Sequence, residues 1–230
     1  SQTYCDEIKG TCAEAGVDCV LIEGDAGRLK NIEGLLAQVT RALGPARLHL
    51  VVHALADASA GLLFHPEGRA QLHPKQVLKT FEIMSHSFLW WGQGLMGAGV
   101  MGEGSSIWGL PNCMDILTAR GFGVIGPSKA ALVGYIHFMA SEFGRHGVRV
   151  NGIRFGATPT PAFQRMPNYK EALRTAEQVN PMGRHTRAED VGDFLALMAD
   201  PRAAWINGAV VDLDGGEVRN IGDAMFGLDL

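Results

Sequence analysis

Residues 127–154 read PSKAALVGYIHFMASEFGRHGVRVNGIR, and this stretch decides the fold. Pro127 opens a helix that the apolar periodicity carries to Phe143, with Gly144 near its end. Residues 148–154, Val-Arg-Val-Asn-Gly-Ile-Arg, then read as a strand. Upstream, residues 106–108 give a weaker strand signal, followed by an irregular stretch to Gly126. A long helix is predicted over 75–96, fading into glycines, after a polar loop at 57–74. Residues 48–53, Leu-His-Leu-Val-Val-His, form a continuous apolar run of the kind buried in a parallel sheet. Before it, Ile32, Leu35, Leu36 and Val39 place one apolar face on a helix over 29–43, ended by Gly44-Pro45 and capped by Asp25. Residues 17–24, Val-Asp-Cys-Val-Leu-Ile-Glu-Gly, read as a strand, and 4–15 as a short helix stopped by Gly16. Downstream, a loop at 155–168 holds Pro159, Pro161 and Pro167; helices follow at 169–179 and 188–198, and a last strand at 208–214. Strands alternating with helices build a doubly wound parallel sheet with helices on both faces.

Composition narrows the function classes. The 230 residues suit a single domain, with 47% apolar and 19% charged residues and a mean hydropathy of +0.06. A net charge of −4 gives no footprint for nucleic acid. The longest uncharged stretch, 83–102, is interrupted by polar residues and glycines, so no membrane span is expected, and no signal pattern is visible. Cys5, Cys12, Cys19 and Cys113 show no paired zinc spacing and read as thiols of a reducing compartment, the cytoplasm or an organelle matrix. No metal site is expected.

Thirty glycines are many for such a chain. They produce G-x-G-x-x-G three times, at Gly92-Gly94-Gly97, Gly97-Gly99-Gly102 and Gly121-Gly123-Gly126. That string cradles a pyrophosphate only between a strand and the helix it feeds. Two of the three continue a helical pattern and the third follows an irregular loop, so none is expected to hold phosphate.

A second set of motifs carries more. Phe122-Gly-Val-Ile-Gly-Pro-Ser-Lys129 opens the long helix, Arg149-Val-Asn151 lies in the next strand, and Asp212-Leu-Asp-Gly-Gly216 closes the last. With Glu189-Asp190-Val191, His53-Ala-Leu-Ala and Ser85-His-Ser-Phe88, this order resembles the short-chain dehydrogenase/reductase family from about residue 17 to 216. Within that family the likeness is to the enoyl-acyl-carrier-protein reductases. The resemblance implies a Rossmann-like sheet of strand order 3-2-1-4-5-6-7 and an NAD(P)H cofactor. It assigns cofactor contacts to Asp25, His53, Ala54, Lys129, Gly156 and Thr158, and a substrate lid to 155–185.

Two departures shape the expectation. Residues 17–24 match the third strand of that plan, so strand one, its phosphate loop and strand two are not accommodated, and a truncated sheet of about five strands is expected, with 17–24 moved against 48–53. A processed or excised chain is also possible, since Ser1 stands where Met would. Second, the family's acid is the Tyr of Tyr-x6-Lys; Lys129 is kept, but Phe122 stands at the Tyr position and has no proton to give. Ala157-Thr158 stands where Pro-Ile is usual in the nicotinamide-contacting segment.

Three functions follow from the resemblance. One is a degenerate reductase without stand-alone hydride transfer, using no cofactor by itself and serving as a binding or assembly subunit. The others are an NAD(P)H-dependent enoyl-thioester reductase completed by missing strands, and a non-redox catalyst on an acyl-thioester or polyketide-like ligand. A homo- or hetero-oligomer is expected, through the helices at 75–96 and 127–143 and the last strand. His53, His86 and His137 read as core or interface residues, as do Trp90 and Trp91. Ser105 and Ser106 have no partner placed to activate them.

Overall fold

In a computed structural model, described over residues 2–69, 71–166, 168–220 and 222, parallel strands and helices alternate as the periodicity requires. Helices α1 (Gln2–Glu14) and α2 (Leu29–Leu43) precede strand β1 (Leu50–His53). Helix α3 (Pro74–Phe81) continues through a π-helical turn, Glu82–His86, into α4 (Ser87–Gly97). Strand β2 (Ser106–Gly109), a 3-10 turn at Cys113–Asp115, and α5 (Ile125–Phe143) follow. Then come β3 (Arg149–Phe155), α6 (Tyr169–Val179), α7 (Ala188–Met198) and β4 (Val210–Leu213). Helices α2, α6 and α7 start and stop where the sequence pattern puts them.

The sheet has four parallel strands in the order β1-β2-β3-β4, with Val52 opposite Trp108 and Trp108 opposite Asn151. Alternation along the strands builds two cores. Val51, Ile107 and Val150 face α4 and α5, packing on Phe88, Leu95, Leu132 and Ile136. Leu50, Trp108, Ile153 and Leu213 face the other way, onto Val191, Phe194 and Met198 of α7. Helices therefore cover both faces, as expected.

Two expectations are corrected. Residues 17–24 form no strand, so the described sheet has four strands rather than five, and β1 pairs with β2 alone. A β-prone sequence becomes a strand only where a neighbour completes its ladder. The end of this segment is instead anchored in the helix layer. Gly24 packs onto Leu35, and the Trp91 indole N–H donates to the Ala26 carbonyl at 2.8 Å. Val17 and Val20 remain more than half exposed. Asp25 is not the cap of α2 either; Arg28 holds that position, and the Asp25 carboxylate accepts from the Gly27 amide at 3.2 Å.

The glycine strings have a packing reason. Gly92 and Gly94 lie within α4, where a Cβ on Gly94 would come within 3.1 Å of Leu36 and one on Gly92 within 3.1 Å of Phe143. They let α4 approach α2 and α5 closely, which is a different use of glycine from cradling a phosphate.

Candidate functional site

The C-terminal ends of parallel strands gather loops from several directions, and the polar side chains collect there. His53 ends β1 and is buried. Its Nε2 lies 2.7 Å from Ser87 Oγ, and that hydroxyl donates to the Ile83 carbonyl at 2.7 Å. Since the hydroxyl proton is spent on Ile83, His53 Nε2 must carry the proton that joins the two. Burial, reinforced by the nearby Lys129 ammonium, holds the imidazole neutral, with its pKa down to about 3. The π-helical turn, which inserts an extra residue into the helix, brings Ser87 to this position. His53 and Ala54 also line an apolar cavity of about 260 Å³ with Phe88, Trp91 and Ile107.

Lys129 is buried in the first turns of α5 and donates to the Leu110 carbonyl just beyond β2, at 2.9 Å. Desolvation pushes its pKa down to about 8, opposed by the carboxylate of Asp115. Between pH 8 and 10.5 the unfolded chain keeps this proton and the folded chain releases it, so folding stability rises with pH across that window. Relative to Lys129→Met, the wild type is expected to gain on the order of 3 kcal/mol from near pH 8 to above pH 10. Paired urea unfolding curves at the two ends measure the difference. A constant offset between the proteins would show that the ammonium is not desolvated.

Asp115 itself is tied into a chain of charges that crosses the strand ends. Arg154 on β3 holds both Asp115 oxygens, at 2.8 and 2.6 Å, and reaches Asp212 on β4 at 2.5 Å. Arg219 closes the chain on Asp212 at 3.2 Å. The Arg154 and Asp115 side chains are only 13% and 4% exposed, so the pair is sheltered from solvent.

The segment 156–158 is turned onto the protein. Ala157 N–H, present because Pro is absent there, donates to the Glu217 carboxylate at 3.1 and 3.3 Å. Thr158 Oγ1 donates to the Gly156 carbonyl at 3.0 Å. A Cβ on Gly156 would overlap Glu217 Oε2 and lie 2.8 Å from Thr186 Oγ1, so a larger residue would force both side chains to shift. Burial and the neighbouring Asp214 push the Glu217 pKa up. The Ala157 N–H and the Thr158 hydroxyl are thus both engaged within the protein.

Phe122 lies three residues before α5 begins at Ile125, in an apolar cluster with Met84, Val124, Ile125 and Met166. Its ring also lines a cavity of about 460 Å³ between the α5 approach and α6. Leu117, Phe163, Met166, Ala176 and Val179 complete an almost wholly apolar wall, and Glu217 is buried at its edge. Tyr135, farther along α5, is spoken for: its hydroxyl pairs with His86 Nδ1 at 3.0 Å.

Of the residues singled out in the sequence, His53 and Lys129 come together electrostatically, and Phe122 sits on the larger cavity. Gly156 and Thr158 join Glu217 and Thr186. Asp25 belongs to a separate cluster with Arg28, itself held by Glu82 at 2.5 Å. Ser87, Asp115, Arg154 and Glu217 were not legible as site residues. Their partners lie tens of positions away in the chain, and no local spacing announces them.

Comparison with known proteins places the chain in a family. The family model described as enoyl-(acyl carrier protein) reductase matches residues 3–217. An NADH enoyl-[acyl-carrier-protein] reductase of a Nostoc species is 30% identical over 175 residues, covering 74% of this chain and 64% of that relative. The Escherichia coli NADH enoyl-[acyl-carrier-protein] reductase is 37% identical over 95 residues, 41% of this chain and 36% of its own length. The chain thus spans less than two thirds of either relative. The crystal structure of the Aquifex aeolicus NADH enoyl-[acyl-carrier-protein] reductase superposes with a TM-score of 0.80 at 23% identity, covering 95% of this chain and 83% of that one. At that identity the likeness speaks for the fold.

Proposed function

The chain belongs to the enoyl-(acyl carrier protein) reductase family, and from that premise we propose that it binds an acyl thioester in the 460 Å³ cavity without completing hydride transfer unaided. The observation that carries this reading is Phe122. A reductase of this kind protonates its product through a phenol seven residues ahead of the lysine; here a benzyl ring occupies that place and lines the cavity wall. The ring preserves the shape and apolarity that suit an acyl chain while removing the acid. Lys129, whose partner it would have been, spends a donor on the Leu110 carbonyl. The Ala157 N–H and the Thr158 hydroxyl are taken up by Glu217 and Gly156.

In this reading the protein is a binding or assembly subunit of acyl-thioester metabolism. Assembly has surfaces to use: Phe138 on α5 is 73% exposed and Trp205, ahead of β4, is 99% exposed.

The alternative, NAD(P)H-dependent enoyl-thioester reduction, draws support from the retained Lys129 and from the cofactor in the relatives' names. Titration with NADH and NADPH, followed by nucleotide fluorescence, separates the two. No saturable binding in the micromolar range is expected, and no NADH oxidation with crotonyl thioester. Either micromolar nucleotide binding or turnover would replace the proposal with the alternative.

A further inference from the structure

We propose that Glu217 is the polar anchor of the acyl cavity, donating a hydrogen bond from its protonated carboxyl to the carbonyl oxygen of the bound thioester. The assignment builds on the acyl-binding reading and goes beyond it to a residue for which the family resemblance provides no role.

Its position is fixed from both sides. Gly215 and Gly216 adopt φ of +65° and +89°, a left-handed pair that turns the chain back after β4. Asp214 holds this turn, accepting from the amides of Gly216 and Val218 at 2.9 Å each, and its carbonyl receives the Glu217 amide at 3.2 Å. The Glu217 side chain is thereby placed under Ala157 and at the cavity wall.

The carboxyl is under-supplied where it sits. A carboxylate can accept about four hydrogen bonds, whereas Ala157 N is the hydrogen-bond donor the structure gives it, shared between both oxygens. Glu217 is only 9% exposed, so water cannot readily make up the deficit, and burial shifts the balance toward the neutral carboxyl. The surrounding charges divide. Asp214 on the same turn opposes ionisation, and His185, between α6 and α7 and bound to Glu177 at 2.7 Å, favours it. The Cys113 thiol of the 3-10 turn feels Glu217 and is pushed up to about 12, mainly by its own burial. Glu171 and Tyr169 of α6 also border the cavity. Asn168 and Thr175 complete the polar lining on the α6 side, the rest is apolar, and Glu217 is the buried acid among these groups. A thioester offers an acceptor and no donor, which matches a neutral acid and not a carboxylate.

The experiment is calorimetric titration of the full chain with decanoyl-N-acetylcysteamine thioester and, separately, with the decyl thioether that lacks the carbonyl. Measurements are made near pH 4.5 and near pH 8.5. The carboxyl pKa is raised above the ordinary 4.5, so the donor is mostly present at the lower pH and is lost as pH rises. Wild-type affinity for the thioester is therefore expected to fall about tenfold between the two, the worth of one neutral hydrogen bond. The thioether binds equally at both. Glu217→Gln, whose Oε1 accepts from Ala157 while its amide donates, binds the thioester equally at both, at the wild type's low-pH affinity. Glu171→Gln keeps the wild-type slope. A pH slope unchanged in Glu217→Gln, or equal slopes for thioester and thioether on the wild type, overturns the role of Glu217 alone. Failure of both ligands to bind at either pH overturns the acyl-binding reading, and this assignment with it.

Discussion

Trp108→Ala is expected to lower the unfolding free energy by about 4 kcal/mol, measured by urea denaturation. Trp108 stands at the centre of β2, fully buried, flanked by β1 and β3. Its ring meets Phe194 of α7 edge to face, with centroids 5.6 Å apart at 85°, and forms the middle of the core on that face. Truncation removes the largest buried side chain from a layer whose neighbours are held by the ladder and cannot collapse into the gap. The indole N–H adds a second test, because Trp108 Nε1 has no hydrogen-bond partner among the described residues. A buried donor without an acceptor is itself costly. Trp108→Phe deletes that donor together with part of the ring, so its loss is expected to stay below about 1.5 kcal/mol. Equal losses for Ala and Phe would mean that the indole N–H is satisfied after all and that ring volume is not the decisive quantity.

Arg154→Ala is expected to cost about 4 kcal/mol as well, for an electrostatic reason. Removing the guanidinium leaves Asp115, whose side chain is 4% exposed, as a buried anion stripped of its bidentate partner. It also detaches Asp212 on β4 from β3. The desolvation already incurred by Asp115 is then uncompensated, which is why breaking such a pair is worse than never having it. The double variant Arg154→Met/Asp115→Leu, which removes both charges, is expected to recover more than half of the loss. The coupling read from the cycle formed with the two single variants measures the pair. An Arg154→Ala loss under about 1 kcal/mol would place the pair among solvent-screened surface contacts.

Both effects involve residues that the linear sequence treats unequally. Trp108 lies in a four-residue strand with a weak signal, because a strand this short shows almost no periodicity. Its importance comes from central placement in the sheet. Arg154 and Asp115 are 39 positions apart and meet because β3 runs beside the loop that leaves β2. Phe122 and Lys129 were legible because their relation is a fixed local spacing at the start of α5. Glu217 was not, since its partner Ala157 is 60 positions away and is reached only through the pairing of β3 with β4. The misread stretch, 17–24, has strand-like residues and no ladder to join.

Periodicity alone determined the alternating parallel architecture and the extents of α2, α6 and α7, and the order of short motifs carried the family likeness and the fixed spacing of Phe122 ahead of Lys129. These are properties of residues within a turn or two of one another, whose side-chain directions the backbone repeat dictates. Tertiary structure decided the rest: that among the described residues β1 is bordered by one strand, that Lys129 and His53 share a desolvated corner, and that Glu217 closes onto Ala157 at the edge of a largely apolar cavity. Burial, and the pKa shifts it causes, depend on which distant segments exclude water from a site, and that is settled only when the sheet brings them together.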